Sequence, residues 1–274
     1  ERVADRERNI AYLGSSRAMT ISEQALSGAK VLNLAVSGAT LEDLLALWHL
    51  AESRVKYKTL LLVLDPWVLN PEHGDIRWKT LSRQYSGALA ALGSPPATTT
   101  GKALWQTKIR EVFSPIYFQD SVNALGKERK SLLGVRNDGS IIYRTPPPEF
   151  KTSEGPIYKL SPFPRIDESY RSNLERWLFK LKEFDHRVVI WLAPFRPDTY
   201  ARLSTEPSYR NFRETQAYFR KLCQDLNLVT FGSYDPSEES LKVADFWDGI
   251  HLLPAQVRDY LRRHQNAVFQ ETHE

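Results

Sequence analysis

Asn9-Ile10-Ala11-Tyr12-Leu13, running into Gly14-Ser15-Ser16-Arg17, reads as a short buried strand that ends in a tight polar turn. An unbroken apolar run of this length, closed by glycine, suits a strand covered on both faces. The same pattern recurs downstream. Val31 to Val36 stops at Ser37-Gly38, Thr59 to Leu64 at Asp65-Pro66, and Arg187 to Ala193 at Pro194, while Leu228 to Phe231 supplies a fifth strand. Segments of helical length lie between them. Ile21 to Leu26 reads as a short helix. Thr40 and Asp43 have capping-box-like spacing, and Leu41, Leu44, Leu45, Trp48 and Ala51 follow on one helical face. Leu174, Trp177, Leu178 and Leu181 mark a helix over Glu168 to Phe184, and another spans Asn211 to Leu226. Pro254 suits the first turn of a last helix reaching about Phe269. Strands alternating with helices predict right-handed crossovers and a mainly parallel sheet, here a three-layer α/β/α sandwich of five strands.

The alternation pauses over about 70–165, a stretch holding Ser94-Pro95-Pro96, Thr98-Thr99-Thr100-Gly101 and Pro146-Pro147-Pro148. It also carries a hairpin signal, Asn137-Asp138-Gly139, between two short apolar runs. We read it as an insertion or cap on a single domain covering 1–274. Net charge is only +4, and no dense basic stripe is interleaved with aromatics, so nucleic acid is not an expected partner. No stretch nears eighteen apolar residues, the length a membrane span needs. The chain opens on Glu1, so any signal peptide or membrane anchor is expected upstream of it. The lone Cys223 leaves no internal disulfide and no cysteine metal pair. Oligomeric state is not legible.

Ligands of parallel α/β sheets bind beyond the carboxyl ends of the strands. The polar residues there are Ser15, Ser16 and Arg17 after strand one, Ser37 and Gly38 after strand two, and Asp65, Trp67 and Asn70 after strand three. Asp245, Trp247, Asp248 and His251 precede the last helix. All should converge on one edge. A serine hydroxyl is a poor nucleophile until a base takes its proton, and Asp-x-x-His can supply an imidazole with a carboxylate behind it.

In this arrangement the chain resembles the SGNH (GDSL-like) hydrolases. Gly14-Ser15-Ser16 is similar to their Gly-Asp-Ser block with Ser in place of Asp; Asn33 to Gly38 is similar to their second block, and Asp248-Gly249-Ile250-His251 to their last. The resemblance implies a flavodoxin-like sheet and a catalytic triad of Ser16, Asp248 and His251. It implies an oxyanion hole using the Ser16 and Gly38 N–H groups, with Asn70 or Arg17 assisting. The third block departs, because Asp65-Pro66-Trp67-Val68-Leu69-Asn70 stands where Gly-x-Asn-Asp is usual. Gly-Ser-Ser-Arg with Asp-Pro-Trp looks like bacterial SGNH-like proteins of envelope-polysaccharide O-acylation. That implies an esterase or O-acyltransferase for acyl, chiefly acetyl, esters of a carbohydrate, periplasmic or envelope-associated, with no metal and no cofactor.

Alternatives stand beside these readings. Ser16 could be a helix N-cap, with Ser15 the nucleophile, and Asp245 could replace Asp248. Asp65 could be a strand-end cap, and Trp67 and Trp247 could be packing or a sugar platform. A catalytically inactive SGNH-like protein binding a glycan or envelope partner is the second functional reading. A flavin or nucleotide binder is the third, weakened by the lack of a glycine-rich phosphate loop.

Overall fold

The computed structural model describes residues 8–23, 29–73, 77–95, 133–143 and 155–269. The strands are β1 (Arg8–Leu13), β2 (Val31–Asn33), β3 (Tyr57–Val63), β4 (Leu133–Val135), β5 (Ile141–Tyr143), β6 (Arg187–Trp191) and β7 (Val229–Phe231). The helices are α1 (Leu41–Glu52), α2 (Ser82–Ala91), α3 (Glu168–Leu181), α4 (Pro197–Thr205), α5 (Arg210–Asp225), α6 (Pro254–Arg263) and α7 (Gln265–Phe269).

Five strands form a parallel sheet in the order β2-β1-β3-β6-β7, the expected flavodoxin-like arrangement. Its two faces are both apolar because successive side chains alternate. Ala11, Leu13, Leu60, Leu62, Val188 and Ile190 join α1, α3 and α5 in one cluster. Ile10, Tyr12, Leu61, Val63, Val189 and Trp191 join α6 and α7 in the other. Each fully buried Leu or Ile contributes about 1.5–3 kcal/mol, so the middle strands hold the layers together.

The Thr40 capping box on α1 forms as read, with Asp43 N–H donating to Thr40 Oγ1 and Thr40 N–H to Asp43 Oδ2, both at 3.2 Å. The single last helix is in fact two, broken at His264. α4 is an addition, with Pro197 at its start and Thr199 and Leu203 buried one turn apart. Residues 21–22 are not helical, and 24–26 of that expected helix lie outside the described residues.

The hairpin signal is met by β4 and β5, which pair antiparallel. Its tip lies against the sheet's outer strand. Asn33 N–H donates to Asp138 O (2.7 Å), Glu23 N–H to Asp138 Oδ2 (2.9 Å) and Ile141 N–H to Met19 O (2.7 Å). The proline and threonine runs of 96–100 and 146–148 lie outside the described residues. Among the described residues no helix is long and apolar enough to cross a membrane.

Candidate active site

The turn after β1 is built to hold Ser16 at the sheet's carboxyl edge. Gly14 opens it, and a Cβ there would come within 2.7 Å of Val63 Cβ, so only glycine lets β1 and β3 close. The turn is tied by Ala18 N–H to Ser15 O (3.0 Å) and Met19 N–H to Ser16 O (3.3 Å). Asn33 at the end of β2 donates to the carbonyls of Ala18 and Ile21, both at 2.8 Å. The chain after β2 then runs alongside, with Leu34 N–H on Tyr12 O and Val36 N–H on Gly14 O.

The other half of the site comes from the loop before α6. Asp248 Oδ1 accepts the N–H groups of Ile250 and His251, both at 2.8 Å, which curls the loop around the carboxylate. Its Oδ2 meets His251 Nδ1 at 2.7 Å and the Trp247 indole N–H at 3.1 Å. His251 Nε2 meets Ser16 Oγ at 2.7 Å, across 235 residues of sequence. These are ordinary strong hydrogen-bond distances. Burial alone would raise the Asp248 carboxyl. The hydrogen bond and charge of His251, with the two backbone N–H groups, outweigh it and hold the carboxyl below its usual range.

Ser16 and His251 open onto a cavity of about 510 Å³, walled by Ser37, Ile157, Tyr158, Arg196, Thr199 and Ile250 among others. Arg196 is buried and paired through two nitrogens with Asp198 (2.7 and 2.8 Å), and its N–H holds Gly249 O at 3.1 Å. Arg202, also at the wall, pairs with Glu206 (2.7 Å) and donates to Gly155 O (3.1 Å). The sequence reading missed these residues. Arg196 was within reach, because it follows β6 as Arg17 follows β1.

Gly38 adopts φ +56°, the left-handed region, and any Cβ there would collide with the Tyr158 hydroxyl. Its place beside the α1 N-terminus adds the positive end of the helix dipole. Among the described residues, neither the Gly38 N–H nor the Ser16 N–H has an acceptor.

Other expected site residues face elsewhere. Asn70 is wholly buried and spends both amide hydrogens on Lys159 O (2.8 Å) and Pro162 O (2.9 Å), so it is not an oxyanion donor. The 3-10 turn over Pro66–Leu69 carries it away from the cavity. Arg17 is not one either. Its guanidinium is buried, pairs with Asp65 at 3.0 Å, donates to the carbonyls of Ala193 and Pro194, and stacks on Phe195. Asp65 is a buried counter-charge rather than a substrate contact, and its burial outweighs Arg17 and pushes the carboxyl above its ordinary range. Trp67 is fully buried, donates to Ala39 O at 3.0 Å, and offers no face to a sugar.

Ser15 is wholly buried and hydrogen-bonded to Asp65, whereas Ser16 lines the cavity. Asp245 accepts from Lys242 N–H at 2.7 Å and caps its own turn. Among the described residues no cluster of His, Cys, Asp and Glu is placed to hold a metal ion.

No protein-family model matches this sequence, and no curated protein matches it. Among solved structures the chain is similar to the acetylxylan esterase Axe2 of Geobacillus stearothermophilus, at 10% identity and a TM-score of 0.45, over 96% of this chain and 95% of that one. A catalytic mutant of the same esterase aligns at 10% identity and a TM-score of 0.46, with the same coverage. A mutant described as an acetyl-xylooligosaccharide esterase aligns at 11% and 0.45, again over 96% and 95%. What the site can do follows from this chain's own side chains.

Proposed function

We propose that the protein is a serine esterase or O-acyltransferase that handles acyl esters, chiefly acetyl, of a carbohydrate. One observation carries this: the continuous hydrogen-bond chain Asp248–His251–Ser16, whose serine end opens on a cavity. Ser16 Oγ attacks the ester carbonyl carbon while His251 Nε2 takes its proton. Asp248 holds the imidazole through Nδ1 and stabilises the imidazolium. The oxyanion is received by the Ser16 and Gly38 N–H groups. Collapse of the tetrahedral intermediate breaks the bond to the sugar oxygen, which leaves with the proton from His251. The acyl group stays on Ser16. Water then repeats the steps for hydrolysis, or a second sugar hydroxyl does so for transfer.

The chain serves in this reading as one SGNH-like unit with 70–165 as an insertion, whose far end brings Ile157 and Tyr158 to the cavity wall. A cavity of this size takes a sugar ring with its acyl group. The sequence resemblance to envelope-polysaccharide proteins supports a bacterial envelope as the setting of this work. The engagement of both Asn70 hydrogens elsewhere favours one competitor, a glycan-binding member without turnover.

A fluorophosphonate probe decides between them. Wild-type protein should be labelled stoichiometrically, with the adduct mapped to Ser16 by peptide mass spectrometry. An unlabelled folded protein, or an adduct on another serine, removes the enzymatic reading. Trp247→Phe gives a finer expectation. It deletes one of the donors on Asp248 Oδ2. Hydrogen bonds to charged groups are worth about 1.5–3 kcal/mol, and His251 remains on the same oxygen, so kcat for p-nitrophenyl acetate should fall only about 3–10-fold.

A further inference from the structure

We propose that Arg77 and Lys159 are positioning residues that clamp Gly38 from both sides and aim its N–H at the oxyanion. The inference rests on the serine-ester reading above. The Arg77 guanidinium donates to Ser37 O, while Asp43, itself buried, lies 3.7 Å from it. Lys159 Nζ donates to Gly38 O at 2.8 Å. Trp67 continues the series by donating to Ala39 O. Three consecutive carbonyls are therefore each held by a side chain.

A trans peptide points its C=O and N–H in opposite directions. Fixing Ser37 O thus fixes the opposed Gly38 N–H, and fixing Gly38 O sets the other side of the same residue. The neighbouring N–H groups are used inside the turn: Ala39 donates to Val36 O at 3.2 Å and Thr40 to Asp43 at 3.2 Å. Gly38 is left to serve the reaction. A glycine at φ +56° has wide conformational freedom, so its N–H would wander without such clamps.

Neither clamp comes from the segments that carry Ser16, Gly38 or His251. Arg77 and Lys159 lie near the two ends of the inserted stretch. Lys159 itself holds φ +56° and is held there through its carbonyl by Asn70. The asparagine of the third block would thus act one step removed, fixing the strap that fixes the donor.

Losing one oxyanion donor outright costs about 10²–10³ in kcat, so loosening one should cost roughly tenfold. The test uses full-length wild type, Ser16→Ala, Arg77→Met, Lys159→Met, Arg77→Lys and Lys159→Arg with p-nitrophenyl acetate. Rates are normalised by fluorophosphonate titration, so that only folded sites count. Both Met variants should lose about tenfold in kcat with KM within about twofold. They should weaken phenylboronic acid, a tetrahedral anionic mimic, by the same factor. The Lys and Arg variants keep a donor and should recover most of both. Unchanged kcat in the Met variants, a change confined to KM, or equal loss in the donor-retaining variants overturns the clamp. A wild type without Ser16-dependent turnover instead overturns the functional reading, and is recognised before any clamp variant is read.

Discussion

Replacing Ser16 with Ala should lower ester turnover by about 10⁴-fold or more in kcat, the scale seen when a unit of serine, histidine and carboxylate loses its nucleophile. The hydroxyl is small, half-buried and bonded only to His251 as a side-chain partner among the described residues, so the fold should be untouched. Thermal unfolding should coincide with that of wild type, and substrate affinity should stay within a few-fold because the cavity wall is intact. His251→Ala should fall by a similar factor, and the double variant by no more than either single one. Equal turnover by wild type and Ser16→Ala would eliminate the hydroxyl from the mechanism. An additive double variant would show that serine and histidine do not act as a unit.

The second large effect is on stability, at Arg17. Its side chain and that of Asp65 are each 2% exposed, and they form a buried ion pair one residue along the chain from Ser16. Arg17→Met fills much of the volume but leaves Asp65 without its counter-charge and the carbonyls of Ala193 and Pro194 without that donor. Breaking a buried pair from one side costs about 3–5 kcal/mol, which for a chain of this length lowers Tm by roughly 10 °C. The pH dependence has a definite sign. Burial already holds Asp65 above the ordinary carboxylate range, and removal of Arg17 raises it further. The folded variant then binds a proton that the unfolded chain does not, so its deficit shrinks as pH falls. The deficit should be full at pH values above the raised folded value and should narrow as pH approaches the usual carboxylate value of about 4. Arg17→Met/Asp65→Leu should recover at least half of the loss. A deficit flat in pH, measured by denaturant unfolding, would mean that packing rather than charge carries it.

The sheet was legible because every central strand is buried on both faces and therefore reads as an apolar run ended by Gly, Asp or Pro. Ser16, Asp248 and His251 were legible from strand-end placement together with a family resemblance. Their meeting depends on strand order, which the resemblance implied and the apolar runs alone do not express. Side-chain direction was not legible. Asp65, Trp67 and Asn70 follow β3 yet turn inward or sideways, because the 3-10 turn there rotates its residues off the strand's alternation, and Arg17, after β1, turns inward to its buried partner Asp65. Tyr158 and Lys159 lay beyond reach for another reason. They belong to a strap without periodicity, and only tertiary contact sets its course. Arg77 carries no motif, and its partner is a backbone carbonyl that any residue could provide.

β2 is the outermost strand on its side of the sheet, and it has only three residues. Such a border exposes donors that invite a second copy to add itself. The β4–β5 tip occupies that border, taking the Asn33 N–H, and a Cβ on Gly139 would strike Asn33 O. Trimming the inserted stretch to obtain a leaner catalyst would therefore unveil an adhesive seam, and self-association would follow before any change in the chemistry could be measured.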